Sequence, residues 1–208
     1  MKIDKLHYIS QAAANGSHLI AIENVLKAGC KWIQLRVKEQ SQAVVLPLAM
    51  AANVLCENYG ARLIVNDYPE IALQSAAFGV HLGLADLPIP EARKIVGINR
   101  CIGGTANTFE NIVSRVAEGA DYIGLGPFRF TATKKDLSPV LGMEGYIRIM
   151  KQVKQAGISI PIIAIGGIVH TDIGALLETG IHGVAVSALL TNHPDLPKQL
   201  NLLKQELN

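Results

Sequence analysis

Residues 32–38 read Trp-Ile-Gln-Leu-Arg-Val-Lys, an apolar strand that becomes polar at its carboxyl end. In an extended chain, every second side chain points to the same face. The polar face of this segment consists of Gln34, Arg36 and Lys38. The opposite, apolar face consists of Ile33, Leu35 and Val37. We expect the apolar face to pack against helices and the polar face to lie at the mouth of a sheet or barrel.

The same theme repeats along the chain, as a short apolar run, a polar turn and then an amphipathic stretch. The apolar runs predict buried parallel strands, because they are short and several are rich in Ile and Val. The predicted strands are Leu6–Ser10, Trp32–Arg36, Leu63–Asn66, Val80–Leu82, Cys101–Thr105, Tyr122–Leu125, Ile162–Ile165 and Gly183–Val186. The stretches between them have apolar residues at helical spacing, and Ser17 and Thr108 are suited to cap two of these helices.

Eight strand–helix pairs in 208 residues predict an α/β protein, a single (β/α)8 TIM barrel with residues 1–208 as one domain. Doubly wound sheets alternate in the same way, so alternation alone does not decide the architecture. The position of the polar residues favours the barrel, because they follow the carboxyl ends of the strands, where TIM barrels have their sites.

Composition excludes several classes of protein. The chain is 50% hydrophobic and 17% charged, which excludes a disordered, collagen-like or coiled-coil protein. The net charge is +2 and the basic residues are scattered, so we expect no nucleic-acid partner. Three cysteines without a C-x-x-C motif indicate reduced thiols. The N-terminus lacks an apolar signal, and no apolar run reaches the roughly 20 residues of a membrane helix, so we expect a cytoplasmic protein without a membrane partner.

The basic residues of the second strand predict an anion site at the barrel mouth. A buried, unpaired cation costs several kcal/mol, so Arg36 and Lys38 should meet an anionic ligand or a neighbouring carboxylate. Asp67 and Asp86 follow the third and fourth strands, where they would either hold Mg²⁺ with substrate phosphates or cap the next helices. Thr105, after the fifth strand, would likewise bind substrate or cap a helix.

A second anion site is predicted after strands seven and eight. Residues 165–168 read Ile-Gly-Gly-Ile, and TIM barrels often bind phosphate on backbone N–H groups at these loops, although a tight turn also uses glycine. After strand six, a loop of about 15 residues is long enough to be functional, with a solvated surface loop as the alternative. It offers two hydroxyls and a cation, from Thr131, Thr133 and Lys134. Two such sites predict two phosphorylated substrates, one with a diphosphate leaving group.

Taken in order, these motifs resemble the thiamine-phosphate synthase family. That family joins hydroxymethylpyrimidine diphosphate to thiazole phosphate and releases pyrophosphate. The resemblance spans nearly the whole chain and rests on Gln34–Lys38, Asn66–Asp67, His81–Asp86, Gly124–Pro127, Thr131–Lys135 and Ile165–Ile168. Three features depart from the family pattern. Val37 replaces a usual Glu, Asn107 replaces a frequent His, and the strand-eight segment Val184–Ala188 is one residue shorter than usual, which bears on the match of Val186 and Ser187.

The resemblance implies a role for each matched residue. Mg²⁺ is implied to bind Asp67 and Asp86. The pyrimidine diphosphate is implied to contact Gln34, Arg36, Lys38, Asn66, Thr105 and Lys134. The thiazole phosphate is implied to contact Thr131, Thr133, Gly167, Val186 and Ser187. The implied catalytic residues are those that would stabilise charge on the departing pyrophosphate, namely Arg36, Lys38 and Lys134. The thiazole nitrogen then attacks the pyrimidine cation without a general base.

Three alternatives stay open at this point. A thiazole tautomerase, a related isomerase, has a catalytic His where this chain has Pro127. A non-catalytic phosphate-binding barrel would not need Asp67, Asp86 and Lys134 together. A phosphosugar epimerase usually needs a paired acid and base, which the strand ends do not offer. The sequence also leaves open the oligomeric state, a homo-oligomer included, and any preference for a carboxylated thiazole.

Overall fold

The computed structural model describes residues 1–14, 16–130, 138–191 and 193–208. Its strands are β1 (Leu6–Ile9), β2 (Trp32–Leu35), β3 (Arg62–Asn66), β4 (Gly79–Leu82), β5 (Cys101–Ala106), β6 (Tyr122–Leu125), β7 (Ile162–Ile165) and β8 (Gly183–Val186). Each strand pairs in parallel with the next, and β1 also pairs with β8, which closes the barrel. The strand bounds agree with the predicted ones to within one residue. The predicted TIM barrel is confirmed.

Helices follow the strands and surround the barrel. They are α1 (His18–Lys27), α2 (Gln42–Asn58), α3 (Pro69–Gln74), α4 (Ile89–Val96), α5 (Phe109–Ala117), α6 (Gly142–Gln155), α7 (Ile173–Glu178), α8 (Ala188–Thr191) and α9 (Leu196–Leu207), with a 3₁₀ turn at His170–Asp172. Both predicted caps are confirmed. The Ser17 hydroxyl accepts from Ile20 N at 3.3 Å, and the Thr108 hydroxyl accepts from Asn111 N at 3.2 Å. None of the helices in the described ranges is both long and apolar enough to span a membrane.

The two faces of the strands pack into two different layers. The apolar face of the 32–38 segment lies between the barrel and its helices, as predicted, and includes Val37. Inside the barrel, the His7 ring stacks on Trp32 with centroids 4.5 Å apart and meets Tyr122 edge-on at 5.3 Å. Burial lowers the pKa of His7 to about 3, so this interior ring is neutral. These side chains come from the beginnings of their strands and fill that end of the barrel.

The first residue of β4, Gly79, lies where two strands approach closely. A Cβ atom at Gly79 would lie 2.1 Å from the backbone oxygen of Cys101 on β5. Gly174, at the start of α7, is the opposite case, because a Cβ atom there would meet nothing within 4 Å.

We expect Gly79→Ala to destabilise the barrel by about 3 kcal/mol, because the clash is with the backbone and is relieved only by parting β4 from β5. The control, Gly174→Ala, should change the free energy of unfolding by less than about 1 kcal/mol, since Ala has the better helix propensity and the site is open. Urea unfolding of both variants measures the difference. Equal stabilities would contradict the close strand packing described here.

Candidate active site

The carboxyl ends of the strands surround a cavity of about 530 Å³. Every predicted site residue that the structure describes lines this cavity: Gln34, Arg36, Lys38, Asn66, Asp67, Asp86, Thr105, Gly167, Val186 and Ser187. Three further predicted residues, Thr131, Thr133 and Lys134, lie outside the described residues. The two sites predicted separately from the sequence therefore share one space, which is large enough for small-molecule ligands.

Two buried amides connect β2 and β3 at the cavity. Gln34 Nε2 donates to Asn66 Oδ1 at 2.7 Å, and both residues are less than one-tenth exposed. This bond uses the amino group of Gln34 and the carbonyl oxygen of Asn66. The carbonyl oxygen of Gln34 and the amino group of Asn66 take no part in this bond, so a ligand can bind to them.

Asp67 has an unusual backbone conformation for a residue other than glycine. Its φ is 70°, in the left-handed region, which Asp tolerates better than most side chains. Its N–H donates to His81 O at 2.9 Å, and its carboxylate accepts a hydrogen bond from Lys38 Nζ. Burial raises the pKa of Asp67, as does the neighbouring Asp86 carboxylate, whereas Lys38 opposes the rise. The carboxylates are therefore close enough to interact.

The arrangement of these two carboxylates suits a divalent cation. Asp86 Oδ2 accepts from Gly83 N at 2.5 Å, which fixes the turn that presents Asp86. The N-caps of α3 and α4 are Tyr68 and Pro88, so the helix-capping alternative for the two aspartates is wrong. Two neighbouring carboxylates repel each other, and a bound cation relieves the repulsion. Within the described ranges, no group of three or more His, Cys, Asp or Glu side chains could hold a metal ion by itself.

Ser10, the residue directly after β1, forms a hydrogen bond with the backbone of Arg36. Arg36 N donates to Ser10 Oγ at 3.1 Å, and Ser10 Oγ lies 2.9 Å from His18 Nδ1. Burial lowers the pKa of the Arg36 guanidinium. Burial, and then the nearby Arg36 charge, lower the pKa of His18. Sequence reasoning missed Ser10 and His18, since no motif in the first strand and helix marks them.

Thr105 bonds to a histidine and does not cap α5, whose N-cap is Thr108. Thr105 Oγ1 lies 3.0 Å from His81 Nε2, and His81 Nδ1 lies 3.0 Å from the Tyr122 hydroxyl oxygen. Burial raises the pKa of Tyr122 well above its ordinary value, so the phenol keeps its proton. A chain of hydrogen bonds thus connects the barrel interior to the cavity.

The Gly-Gly turn after β7 is a close approach between two loops. Gly166 and Gly167 have φ values of 97° and 68°, in the left-handed region that favours glycine. A Cβ atom at Gly166 would lie 2.6 Å from Pro127 Cβ, and one at Gly167 would lie 2.9 Å from Arg129 Cβ. The turn therefore presents backbone and no side chain to the cavity.

The two substituted positions, Val37 and Asn107, have structural explanations. Val37 packs against the helices, away from the cavity. Asn107 is buried, and its Nδ2 donates to Gly126 O and to Pro139 O, both at 2.9 Å. It therefore connects the residues before and after the loop that follows β6.

Pro127 lines the cavity at the position where a tautomerase has its histidine, and it has no titratable group.

Comparison with known proteins agrees with this geometry. Residues 6–190 match the family described as thiamine monophosphate synthase. A thiamine-phosphate synthase from Bacteroides fragilis is 50% identical over 190 residues, 91% of this chain and 93% of that protein. One from Flavobacterium johnsoniae is 48% identical over 205 residues, 99% of this chain and 95% of that protein.

A solved structure gives the same result at a greater sequence distance. Thiamine phosphate pyrophosphorylase from Pyrococcus furiosus has a TM-score of 0.83 and 28% sequence identity, over 98% of this chain and 95% of that one. The family match begins at the first residue of β1 and extends beyond the end of β8, so it includes every strand that contributes to the cavity. The chain therefore belongs to the thiamine-phosphate synthase family.

Proposed function

We propose that this cavity joins hydroxymethylpyrimidine diphosphate to thiazole phosphate, or to its carboxylated form, and releases thiamine monophosphate and pyrophosphate. One observation supports this proposal: the two predicted anion sites lie in the same cavity. One side has the Asp67 and Asp86 carboxylates beside the Arg36 and Lys38 cations, and the other side has the Gly166–Gly167 turn. We further propose that residues 1–208 act as one barrel domain. The three cysteines are free and buried, as expected for a protein of the reducing cytoplasm.

The diphosphate would bind beside β2, β3 and β4. Asp67 and Asp86 would hold Mg²⁺, which when bound would offset the charge of the diphosphate oxygens. Arg36 and Lys38 would donate hydrogen bonds to the same group. Lys38 is already held by the Asp67 carboxylate, so its ammonium group stands where the diphosphate would arrive. Lys134 is assigned to this group by resemblance alone.

The pyrimidine would be held by neutral groups. Gln34 would orient the ring through its carbonyl oxygen and Asn66 through its amino group, because these two groups take no part in the hydrogen bond between the two side chains. When the carbon–oxygen bond breaks, negative charge develops on the pyrophosphate and positive charge on the pyrimidine carbon. Arg36 and Lys38 would stabilise the former by electrostatics, while the amino group of the pyrimidine delocalises the latter. The thiazole nitrogen would then attack, and this step requires no general base.

The hydrogen-bond chain behind Thr105 would determine which hydrogen bond Thr105 makes to the substrate. Burial keeps the Tyr122 phenol protonated, so the Tyr122 hydroxyl would donate to His81 Nδ1. His81 would then be protonated on Nε2 and donate to Thr105 Oγ1. The hydroxyl hydrogen of Thr105 would remain for an acceptor on the pyrimidine diphosphate.

The thiazole phosphate would bind on the opposite side of the cavity, to backbone groups of Gly167, Val186 and Ser187. The Ser187 hydroxyl donates to Ile9 O at 2.6 Å, so this side chain fastens β8 to β1 and its contact with phosphate would be through the backbone. Thr131 and Thr133 are assigned here by resemblance.

The direct test is to incubate the purified chain with both phosphorylated substrates and Mg²⁺. We expect thiamine monophosphate and pyrophosphate to form in equal amounts, because one bond is made for each bond that breaks. Omission of either substrate should abolish both products. Isomerisation of the thiazole phosphate alone, with no thiamine monophosphate formed, would support the tautomerase alternative instead.

We expect Asp67→Asn and Asp86→Asn each to lower kcat/KM about 10²-fold or more, with the barrel still folded, because each removes one proposed metal ligand. Both variants should need more Mg²⁺ for half-maximal activity. Glu178→Gln, an exposed carboxylate on α7 outside the cavity, is the matched control and should have no effect. An unchanged Mg²⁺ requirement in both aspartate variants would exclude the metal assignment.

We expect Thr105→Val to lower kcat/KM about 10²-fold, the scale of losing one stabilising donor, whereas Thr105→Ser should keep most activity. Val has nearly the same shape as Thr and lacks only the hydroxyl, so the pair separates hydrogen bonding from packing. Nitrogen NMR of His81 should report a hydrogen on Nε2. Equal activity of the two variants would show that the hydroxyl has no role.

A further inference from the structure

Arg129 makes three hydrogen bonds to groups around the Gly-Gly turn. Its Nη1 donates to Gly167 O at 2.6 Å and to Asp172 Oδ2 at 2.9 Å, and its Nη2 donates to Asp172 Oδ1 at 2.9 Å. The contact with Asp172 is the two-point Arg–carboxylate pairing, which fixes orientation as well as distance. The guanidinium is therefore committed to one carboxylate and one backbone carbonyl.

Asp172 is the more enclosed partner of this pair. Its side chain is 12% exposed, whereas that of Arg129 is 49% exposed. Asp172 Oδ2 also accepts from Val169 N at 2.9 Å, so the carboxylate holds the backbone just beyond the Gly-Gly turn. The hydrogen bonds from Arg129 lower the pKa of Asp172. Asp172 is thus ionised near neutral pH and connects Arg129 to the start of the 3₁₀ turn.

Backbone pairing adds to these side-chain bonds. Phe128 N donates to Ile165 O at 2.8 Å, and Arg129 N donates to Gly166 O at 2.9 Å. Gly166 and Gly167 have no side chains of their own to restrain them, and glycine has the greatest backbone freedom of any residue. The conformation of the turn therefore depends on hydrogen bonds that its carbonyl groups accept, and Arg129 supplies two of these.

We propose that Arg129 and Asp172 are positioning residues for the substrate phosphate that binds at the Gly-Gly turn. Arg129 holds the Gly167 carbonyl, and thereby the peptide groups of the turn, in the orientation that receives the phosphate. Neither Arg129 nor Asp172 lines the cavity, as far as the described residues define it, whereas Gly166, Gly167 and Val169 do. The inference rests on the proposed function, which places the thiazole phosphate at this turn.

The alternative role for Arg129, as a direct phosphate ligand, predicts the opposite change in phosphate affinity for one variant. Asp172→Asn removes a negative charge beside the site and releases Arg129 from its two-point pairing. If Arg129 bound the phosphate itself, this change would tighten binding, because a freed guanidinium is a better anion ligand. If Arg129 positions the turn, the same change loosens the turn and weakens binding.

The experiment is calorimetric titration of the full chain with thiazole phosphate and, separately, with pyrimidine diphosphate and Mg²⁺. We expect Asp172→Asn and Arg129→Lys each to weaken the affinity for thiazole phosphate on the order of 10-fold, since a small misplacement of a binding group has effects of this size or larger. Affinity for the pyrimidine diphosphate should stay within about twofold, well under 1 kcal/mol. Arg148→Lys, an exposed arginine on α6, is the matched control and should change neither affinity.

Kinetics and NMR separate positioning from general structural damage. In both variants KM for thiazole phosphate should rise while kcat at saturation is largely kept, and the amide signals of Gly166 and Gly167 should shift in the free protein. An unchanged or tighter affinity for thiazole phosphate in Asp172→Asn would overturn the inference. A wild-type chain whose Gly167 and Ser187 amides do not respond to thiazole phosphate would overturn the proposed location of that substrate, and this inference with it.

Discussion

The stacking of His7 on Trp32 is the contact on which the rest of the site depends. Together with Tyr122, these rings fill the barrel interior near the amino-terminal ends of the strands, and the cavity lined by the candidate site residues lies at the carboxyl ends. The packing requires a neutral imidazole, because an ionised ring in this interior would lose its hydration without gaining a counter-charge. The barrel interior is also connected to the site, because Tyr122 hydrogen-bonds to His81 and His81 hydrogen-bonds to Thr105.

Most of the barrel could be predicted from the sequence because the relevant signals are local. Alternation over residues 32–38 places Gln34 and Arg36 toward the cavity and Val37 toward the helices, and the structure has this arrangement. The same local signals could not decide between capping and ligand binding for Asp67 and Asp86. That choice depended on which residue ends up at each N-cap, and the structure has Tyr68 and Pro88 there.

The features that sequence reasoning missed are contacts between distant segments. Arg129 and Asp172 are 43 positions apart, and Asn107 and Pro139 are 32 apart. In the sequence, Arg129 is a basic residue in a loop, Asp172 is an aspartate at the start of a helix, and Asn107 is an asparagine after a strand. Their partners are determined only when β5, β6 and β7 lie side by side, so spacing along the chain contains no sign of them. They support the backbone around the cavity and do not line it.

The two sides of the cavity differ in their physical character, and this difference suits the two substrates of the proposed reaction. Beside β2 to β4, opposite charges face each other at short range, and burial raises the pKa of Asp67, so in the proposed reaction this side would receive the highly charged diphosphate. Beside β7, the Gly166–Gly167 turn presents backbone in the left-handed conformation that favours glycine, and the Arg129–Asp172 ion pair holds this turn from outside the cavity. In the proposed reaction, the thiazole phosphate would stay on the Gly-Gly turn while the diphosphate departs from the charged side, so the charge rearrangement would be confined to one half of the cavity. The attacking thiazole nitrogen would then keep its position while the leaving group separates.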